Sequence, residues 1–369
     1  MTDERINLLG FPRRRLEEFF VGLGEKPFRA TQLMSWVYRL GVADFDRMTN
    51  LSVALRTKLG EIAEVRVPEI RTLQDAGDGT RKWMLAMDGG QAIETVFIPE
   101  PARGTLCISS QVGCAMDCAF CATGKQGFNR NLGAADIVGQ VWLANRELGY
   151  RPDADRIVTN VVFMGMGEPL ANYRNVVPAV EVLLDDFGFN LSRRRVTVST
   201  SGLVPQIERL GEECNVALAV SLHAADDELR NELVPINRRH PIEELLDACW
   251  RYAERGASRH ITFEYVMLDG VNDRDADMRR LAKLLGHRPA KVNLIPFNRF
   301  PGTEFRRSPL EAIERCRDFL LKKGIRTTIR RTRGDDIDAA CGQLAGKVND
   351  RMRYRLGSRL VSVAARTGP

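Results

Sequence analysis

Two different periods of apolar and polar positions follow one another along the chain, and the change falls near Pro99. Before it, three segments show the period of amphipathic helices, at residues 16–23, 27–41 and 50–62, with Asn50 as an N-cap candidate. Two shorter apolar segments, residues 81–87 and 91–100, flank an Asp-Gly-Gly turn signal. We therefore expect a small helical domain followed by a β-hairpin.

After Pro99, extended apolar segments alternate with helical ones about six times. The extended segments are residues 105–112, 160–167, 195–202, 215–224, 260–268 and 291–298, and helical periodicity follows them, for example at 135–148 and 242–256. Such repeats give parallel strands with right-handed crossovers, so the pattern predicts an α/β fold, either a barrel or an open doubly wound sheet. In both architectures ligands bind at the carboxyl ends of the strands.

Length and composition place this fold in a reducing compartment. At 369 residues the chain is long enough for one large domain with an appendage. The first residues lack the apolar core of a signal peptide, and no run approaches the roughly 18 apolar residues of a spanning helix. We expect a cytoplasmic protein without a membrane partner, in which clustered cysteines bind metal or do chemistry rather than form structural disulfides.

Positive charge is concentrated near the C-terminus. The net charge is +6, but from Arg299 onward 17 Lys and Arg residues face 8 Asp and Glu residues. A shorter run occupies Arg13–Arg15. Such a distribution suits a polyanionic partner such as RNA, although a solvated surface explains the charge about equally well.

Half of the eight cysteines lie within fifteen residues, directly after the first strand of the repeating region. Cys114, Cys118 and Cys121 are spaced C-x3-C-x2-C, and Cys107 lies upstream. Three thiolates on one loop can hold three irons of a cubane cluster and leave the fourth open for a substrate such as S-adenosylmethionine. A structural zinc site would need a fourth ligand nearby, and a ferredoxin-like centre would need four cysteines.

The cysteine spacing, with the aromatic Phe120 before the last cysteine, resembles the radical S-adenosylmethionine superfamily. GMGEP at residues 165–169 is similar to that superfamily's glycine-rich cofactor motif. The resemblance implies a [4Fe-4S] cluster on the three cysteines and cofactor contacts from Gly167, Glu168, Ser199, Ser221, Leu222, His223 and Asn298. Singly these matches are weak, because a serine at a strand end is more often a cap and a lone histidine more often structural.

A narrower resemblance covers nearly the whole chain. Residues 333–346, RGDDIDAACGQLAG, together with SSQVGC at 109–114 and GFNRNL at 127–132, resemble the RlmN/Cfr family of adenosine methyltransferases, and the RGDD form is closer to the RlmN branch. The resemblance implies methylation of C2 of adenosine 2503 in 23S ribosomal RNA and of adenosine 37 in tRNA. It also implies a partial (β/α)6 barrel, a low-potential electron donor such as flavodoxin or ferredoxin, and a monomer.

The family mechanism assigns three further residues. Cys341 is implied to be methylated by one cofactor molecule, with Gly334 and Gly342 giving its loop mobility. A radical from a second cofactor molecule then activates that methyl group for addition to C2. Glu94 is implied to accept the C2 proton, and Cys107 to release the product by forming a disulfide with Cys341. Without the family, Cys107 reads as a small buried hydrophobe and Glu94 as a paired surface carboxylate.

The domain organisation predicted from these patterns has three parts. Residues 1–98 form the helical accessory domain and hairpin, with an RNA contact; residues 99–341 form the barrel; and residues 342–369 form a basic C-terminal helix. Two alternatives to the C2 methyltransferase remain at this stage. One is a Cfr-type C8 methyltransferase, and the other is a zinc-stabilised RNA-binding protein without radical chemistry.

Overall fold

A computed structural model describes residues 5–256 and 260–351 of the chain. The α-helices are α1 (Arg13–Gly22), α2 (Arg29–Met34), α3 (Val53–Ile62), α4 (Ala122–Lys125), α5 (Ala134–Glu147), α6 (Tyr173–Leu184), α7 (Val204–Glu213), α8 (Asp227–Leu233), α9 (Ile242–Arg255), α10 (Asp275–Leu285) and α11 (Leu310–Lys322). The strands are β1 (Ile6–Asn7), β2 (Ala63–Glu64), β3 (Ile70–Asp75), β4 (Arg81–Ala86), β5 (Ala92–Glu100), β6 (Arg103–Cys107), β7 (Gln111–Gly113), β8 (Phe128–Asn131), β9 (Asn160–Phe163), β10 (Val196–Thr200), β11 (Ala217–Ser221), β12 (Ile261–Met267), β13 (Ala290–Pro296) and β14 (Arg326–Ile329).

A ten-stranded sheet forms the centre of the molecule, in the order β14-β13-β12-β11-β10-β9-β6-β5-β4-β3. Within this sheet, seven strands run parallel to one another: β6, β9, β10, β11, β12, β13 and β14. Strands β5, β4 and β3 continue the sheet in antiparallel pairs. Helices α5, α6, α7, α9, α10 and α11 each lie between two consecutive parallel strands. The α/β fold with six strand-helix repeats is therefore confirmed, and β14 is a seventh parallel strand that the pattern did not predict.

The sheet curves around a cavity of about 680 Å³. Ile98 of β5, Thr105 of β6 and Arg330, directly after β14, all line it. Nevertheless β14 pairs with β13 alone, whereas β6 pairs with β5 and β9. The architecture is thus a partial barrel in which the first and last parallel strands share a cavity without closing a hydrogen-bonded ring.

The N-terminal hairpin is part of the main sheet and not of a separate domain. β5 pairs with β4 on one side and with β6 on the other, so the predicted boundary at residue 98 falls inside a strand. The predicted strand at 105–112 divides into β6 and β7, because β7 leaves the main sheet and pairs with β8. The cap of α3 is Ser52, whose hydroxyl accepts a hydrogen bond from the Leu55 N–H, rather than Asn50.

The helical unit α1–α3 packs against the outside of the barrel. Gly10 has a φ of +83°, and a Cβ there would lie 2.5 Å from the backbone of Ala134 at the start of α5. Trp142 of α5 donates to the Val37 carbonyl at 2.8 Å. The close backbone approach and the buried hydrogen bond hold the unit against α5.

The predicted RNA-gripping run Arg13–Arg15 is engaged within the protein. Arg13 forms a two-nitrogen hydrogen-bonded ion pair with Asp185 and stacks on Phe187. Arg15 lies over the ring of Phe11, with 3.8 Å between guanidinium and ring centre, and Arg14 pairs with Glu18. Arg13 therefore fastens the helical unit to the segment after α6, whereas Arg14 is largely exposed, and an RNA contact by this run stays a prediction.

The predicted basic helix at 342–369 is also corrected where the structure describes it. Residues 341–343 form a turn and residues 344–351 continue without helix. The rest of that prediction, residues 352–369, lies outside the described part of the chain. Within the described part, no helix has the length and apolar character needed to cross a membrane.

Candidate active site at the carboxyl ends of the strands

The three-cysteine loop lies between β7 and β8, whose antiparallel pairing closes its base. Cys114 donates its N–H to the Gly127 carbonyl at 2.7 Å, and Cys121 to the Cys118 carbonyl at 3.2 Å. On its outer side the Ala119 N–H bonds the Leu233 carbonyl at the end of α8, at 3.0 Å. The loop is thus held from both sides, with all three cysteines partly exposed.

The thiols of the cysteine loop influence one another's protonation. Burial raises the pKa of Cys114 and Cys118, and the neighbouring cysteines raise both further. In the metal-free protein these two thiols are therefore protonated at neutral pH, and metal binding must displace their protons. Three mutually close thiols on a loop match the donor set of an iron-sulfur cubane. Among the described residues, no three His, Cys, Asp or Glu side chains are arranged to hold a single metal ion.

Gly167 and Glu168 form a tight turn after β9. Gly167 has a φ of +101°, and a Cβ there would come within 2.5 Å of the Gln111 side chain, so only glycine fits. Glu168 is buried, and burial raises the pKa of its carboxyl group. Its carboxylate accepts hydrogen bonds from the Ser201 N–H and hydroxyl, at 2.7 and 2.8 Å, and from the Leu170 N–H. Glu168 therefore joins the ends of β9 and β10.

Ser199 and Ser221 occupy equivalent interior positions on β10 and β11. Ser199 pairs with Ala219 and Ser221 pairs with Glu264, and both partners line the cavity. Leu222 differs, because its side chain is fully buried and its N–H bonds the Glu264 carbonyl at 3.0 Å. Both serines face the same side of the sheet as these partners, although neither serine is itself among the residues that line the cavity, while Leu222 contributes packing.

His223 is buried with a φ of +59°. Its Nδ1 accepts the Val266 N–H at 3.0 Å, which leaves the ring proton on Nε2. Burial, together with the positive charge of Arg230, lowers the pKa of His223 to about 3, so the ring is neutral at working pH. The ring meets Phe120 of the cysteine loop edge-on, with 4.4 Å between centres. His223 therefore packs against the cysteine loop and supports it.

Asn298 connects the end of β13 to the segment that carries Cys341. Its Nδ2 donates to the Cys341 carbonyl at 3.2 Å, and its Oδ1 accepts from Arg307 at 2.7 Å. The same segment is bonded to the cysteine loop, since the Ala122 N–H meets the Gly342 carbonyl at 2.8 Å and the Thr123 hydroxyl meets the Leu344 carbonyl at 2.6 Å. The segment predicted to be mobile is docked at several points.

Cys107 and Cys341 are both influenced by the charge of Arg330, which, like Cys341, lines the cavity. Both are free thiols, and Cys107 ends β6 on its interior face. Burial raises the pKa of Cys107 to about 12, with a further increase from Cys341, whereas Arg330 opposes it. Burial also raises the pKa of Cys341, and Arg330 again opposes the increase. Because the positive charge of Arg330 acts on both sulfurs, it stabilises the thiolate form of either one.

Glu94 is buried and forms an ion pair. The sequence analysis gave either a proton acceptor or a paired carboxylate on the surface, and neither interpretation combined burial with an ion pair. It lies on the same face of the sheet as Val96, which pairs with Cys107. Its Oε1 is 3.2 Å from the Lys82 Nζ, and its Oε2 accepts the Ala345 N–H at 2.9 Å. Lys82 and Glu94 are diagonal neighbours on β4 and β5, and both are almost fully buried. The carboxylate therefore lies under the Cys341 segment, beside a compensating charge.

The Lys82→Met variant is expected to lower the free energy of unfolding by about 3–5 kcal/mol, because it leaves the Glu94 carboxylate buried without its cation. Chemical denaturation measures the loss, and a Lys82→Met, Glu94→Gln double variant should recover most of it. Arg81→Met, on the same strand, is the matched control: its exposed pair with Asp75 is worth at most about 1 kcal/mol. Equal losses for Lys82→Met and Arg81→Met would contradict the assignment.

Sequence reasoning missed two buried cations, Lys82 and Arg230, and the half-buried Arg330 that lines the cavity. In the sequence, each of these residues occupies a position that looks like that of a surface residue. Its charge alone therefore did not indicate its role. One signal was available for Arg330: it directly follows a short strand, β14, that continues the series of the six predicted strands. All three lie within the hydrogen-bonded or electrostatic reach of a predicted site residue.

The fold and this site together define a radical enzyme built on a partial (β/α)6 barrel. The family model described as the Radical SAM superfamily matches residues 108–282, and that of the ribosomal RNA large subunit methyltransferase N-terminal domain matches residues 6–65. A solved structure of a radical SAM methyltransferase from Sphaerobacter thermophilus is 46% identical over 92% of this chain and 99% of that chain, with a TM-score of 0.85. The chain belongs to the radical SAM methyltransferases, in the RlmN/Cfr family.

Two solved structures are more distant. A domain of pyruvate-formate lyase-activating enzyme from Bacteroides vulgatus is 20% identical over 47% of this chain and 99% of that chain, with a TM-score of 0.37. A spore photoproduct lyase variant is 13% identical over 63% of this chain and 78% of that chain, with a TM-score of 0.42. Family membership confirms the [4Fe-4S] cluster and S-adenosylmethionine as cofactors and overturns the zinc-protein alternative.

Proposed function

We propose that this enzyme methylates C2 of adenosine in RNA, at adenosine 2503 of 23S ribosomal RNA and adenosine 37 of tRNA, through a methylated Cys341. The observation that carries the proposal is the docking of the Cys341 segment between the cysteine loop and Asn298, with Arg330 acting on both Cys341 and Cys107. This supports a mechanism in which the sulfur of Cys341 takes the methyl group near the cysteine loop and the sulfur of Cys107 later attacks it to release the product carbon.

Cys114, Cys118 and Cys121 would hold the cluster. The cofactor would lie along the strand ends, near Gly167, Glu168, Ser199, Ser221, Leu222, His223 and Asn298. When bound, these groups supply the methyl donor and the radical that activates the methyl group. A low-potential donor such as flavodoxin or ferredoxin would deliver the electron.

The chain's own residues perform the polar steps. The Cys341 thiol loses its proton and takes the methyl group, forming an S–C bond as the donor's sulfonium bond breaks. After the activated carbon has bonded to C2, the adduct gives up one electron, which the redox centre would take up, and Glu94 accepts the C2 proton. The deprotonated Cys107 sulfur then bonds to the Cys341 sulfur as the Cys341 S–C bond breaks, and the released carbon takes up a proton to become the methyl group. The disulfide that remains must be reopened by a two-electron thiol reductant.

The charge of the cavity supports an RNA substrate. Its lining carries five cations and two carboxylates, namely Arg103, Lys291, Arg330, Arg331 and Arg333 against Glu100 and Glu264. Phosphates beside an unstacked adenosine gain affinity from such a lining. A barrel open on one side gives a flipped base a path to Cys341.

Product analysis tests the assignment. Protein loaded anaerobically with iron and sulfide is incubated with S-adenosylmethionine, a low-potential reductant and RNA, and digested RNA is separated by chromatography with mass detection. We expect 2-methyladenosine together with 5′-deoxyadenosine. 8-Methyladenosine would establish the Cfr-type reaction instead, and an absence of both with active 5′-deoxyadenosine formation would contradict an adenosine substrate.

A further inference from the structure

Arg230, in the middle of α8, is a fully buried guanidinium. Its Nε donates to the Leu222 carbonyl at 3.1 Å, and its Nη1 donates to Asn237 Oδ1 at 2.6 Å. Its Nη2 donates to the Ser201 and Ser221 carbonyls at 2.8 and 2.9 Å. All four acceptors are uncharged. No carboxylate in the described ranges 5–256 and 260–351 lies within 4.0 Å of its nitrogens.

A buried charge without a counter-ion is costly, by several kcal/mol even after the protein relaxes. Burial lowers the pKa of Arg230 to about 10, so the side chain remains charged at neutral pH. Carboxylates reach only its hydrogen-bond partners: Asp227 accepts from Asn237 at 2.8 Å, and Glu168 accepts from Ser201. Asp227 is exposed and therefore screened. The hydrogen bonds satisfy the donors of Arg230 but do not balance its charge.

The cysteine loop lies next to Arg230, and thiolates that bind a cluster would supply the missing negative charge. Leu233, one helical turn after Arg230, accepts the N–H of Ala119, the residue next to Cys118. The Leu222 carbonyl that accepts from Arg230 directly precedes His223, whose ring meets Phe120 of the cysteine loop with 4.4 Å between centres. A thiolate-bound cluster adds negative charge at this position, and it becomes more negative when it is reduced.

We propose that Arg230 is a positioning residue whose buried charge is the counter-ion of the iron-sulfur cluster, raising the cluster's reduction potential while fastening the ends of β10 and β11. Net charge and surroundings set the potentials of such clusters, and a nearby cation stabilises the reduced form more than the oxidised form. The proposal depends on the cluster that the family carries and is independent of which adenine carbon is methylated.

A redox titration monitored by electron paramagnetic resonance tests the charge. Compared with wild type, loaded Arg230→Gln is expected to show a tenfold lower ratio of reduced to oxidised cluster at a fixed potential, which is about 59 mV for a one-electron couple. Arg230→Lys keeps the charge and should stay near the wild-type potential. Arg238→Gln removes an exposed charge shortly after α8 and should cause no shift. A wild-type potential in loaded Arg230→Gln would overturn the proposal.

Thermal unfolding of the cluster-free and loaded proteins tests the coupling independently. Loading should raise the unfolding temperature of wild type more than that of Arg230→Gln, because only wild type has a buried charge to be neutralised. Arg230→Met repeats both measurements if Arg230→Gln does not fold. Equal increases on loading, or a failure of both neutral variants to fold without the cluster, would show a purely structural role and would overturn the proposal.

Discussion

Replacing Cys341 with alanine is expected to abolish methylation of the protein and to reduce turnover on RNA by more than about a thousandfold, as loss of a covalent nucleophile does. Adenine C2 lies between two ring nitrogens and is too electron-poor to attack a sulfonium methyl group itself. In the proposed mechanism the sulfur of Cys341 carries the methyl group, and the backbone around it is held by Asn298 and by the cysteine loop. Intact-protein mass spectrometry after incubation with S-adenosylmethionine measures the added methyl group.

The matched control is Cys214→Ala, which removes a buried thiol at the end of α7, away from the site. It should be methylated and active like wild type. Because burial raises the pKa of Cys341, the thiolate fraction increases with pH, so methylation of the wild-type protein should accelerate from pH 7 to pH 9. An active Cys341→Ala variant would contradict the mechanism.

Replacing Cys107 with alanine is expected to stop the reaction one step later, with RNA joined covalently to Cys341. Cys107 ends β6 beside the Val96 position of β5, on the face that carries Glu94, and Arg330 acts on both its sulfur and that of Cys341. Without it, the first methylation and the addition to C2 proceed, but no sulfur displaces the product. Denaturing gels with labelled RNA should show a protein-RNA band in near-stoichiometric amount.

Two variants bracket this result. The Cys107→Ala, Cys341→Ala double variant should form no band, because the attachment atom is absent. Cys214→Ala should turn over and leave only a trace of adduct. A Cys107→Ala enzyme that releases methylated RNA at the wild-type rate would remove Cys107 from the mechanism, whereas the proposed role of Cys341 would stand.

The local pattern of apolar and polar positions was enough to predict most of the fold. The α5 and α9 segments and six of the parallel strands were predicted within a few residues, because apolar runs and helical periodicity alternate clearly along the chain. β14 escaped prediction because its sequence, Arg-Thr-Thr-Ile, is mostly polar and forms no apolar run. The boundary at residue 98 was wrong because hairpin strands with one buried face look the same whether they form their own sheet or extend another.

The sequence by itself determined the chemistry that depends on residue type and spacing: three cysteines for a cluster, a glycine turn after β9, and cysteines at 107 and 341. Only the tertiary structure determined which charged residues lie near those groups and balance their charge. Lys82 pairs with Glu94, the charge of Arg330 acts on both sulfurs, and Arg230 donates to the Ser201 carbonyl, so each of these arrangements joins residues distant in sequence. The effect of a charge depends on its burial and its neighbours, and both arise only when the strands curve around one cavity.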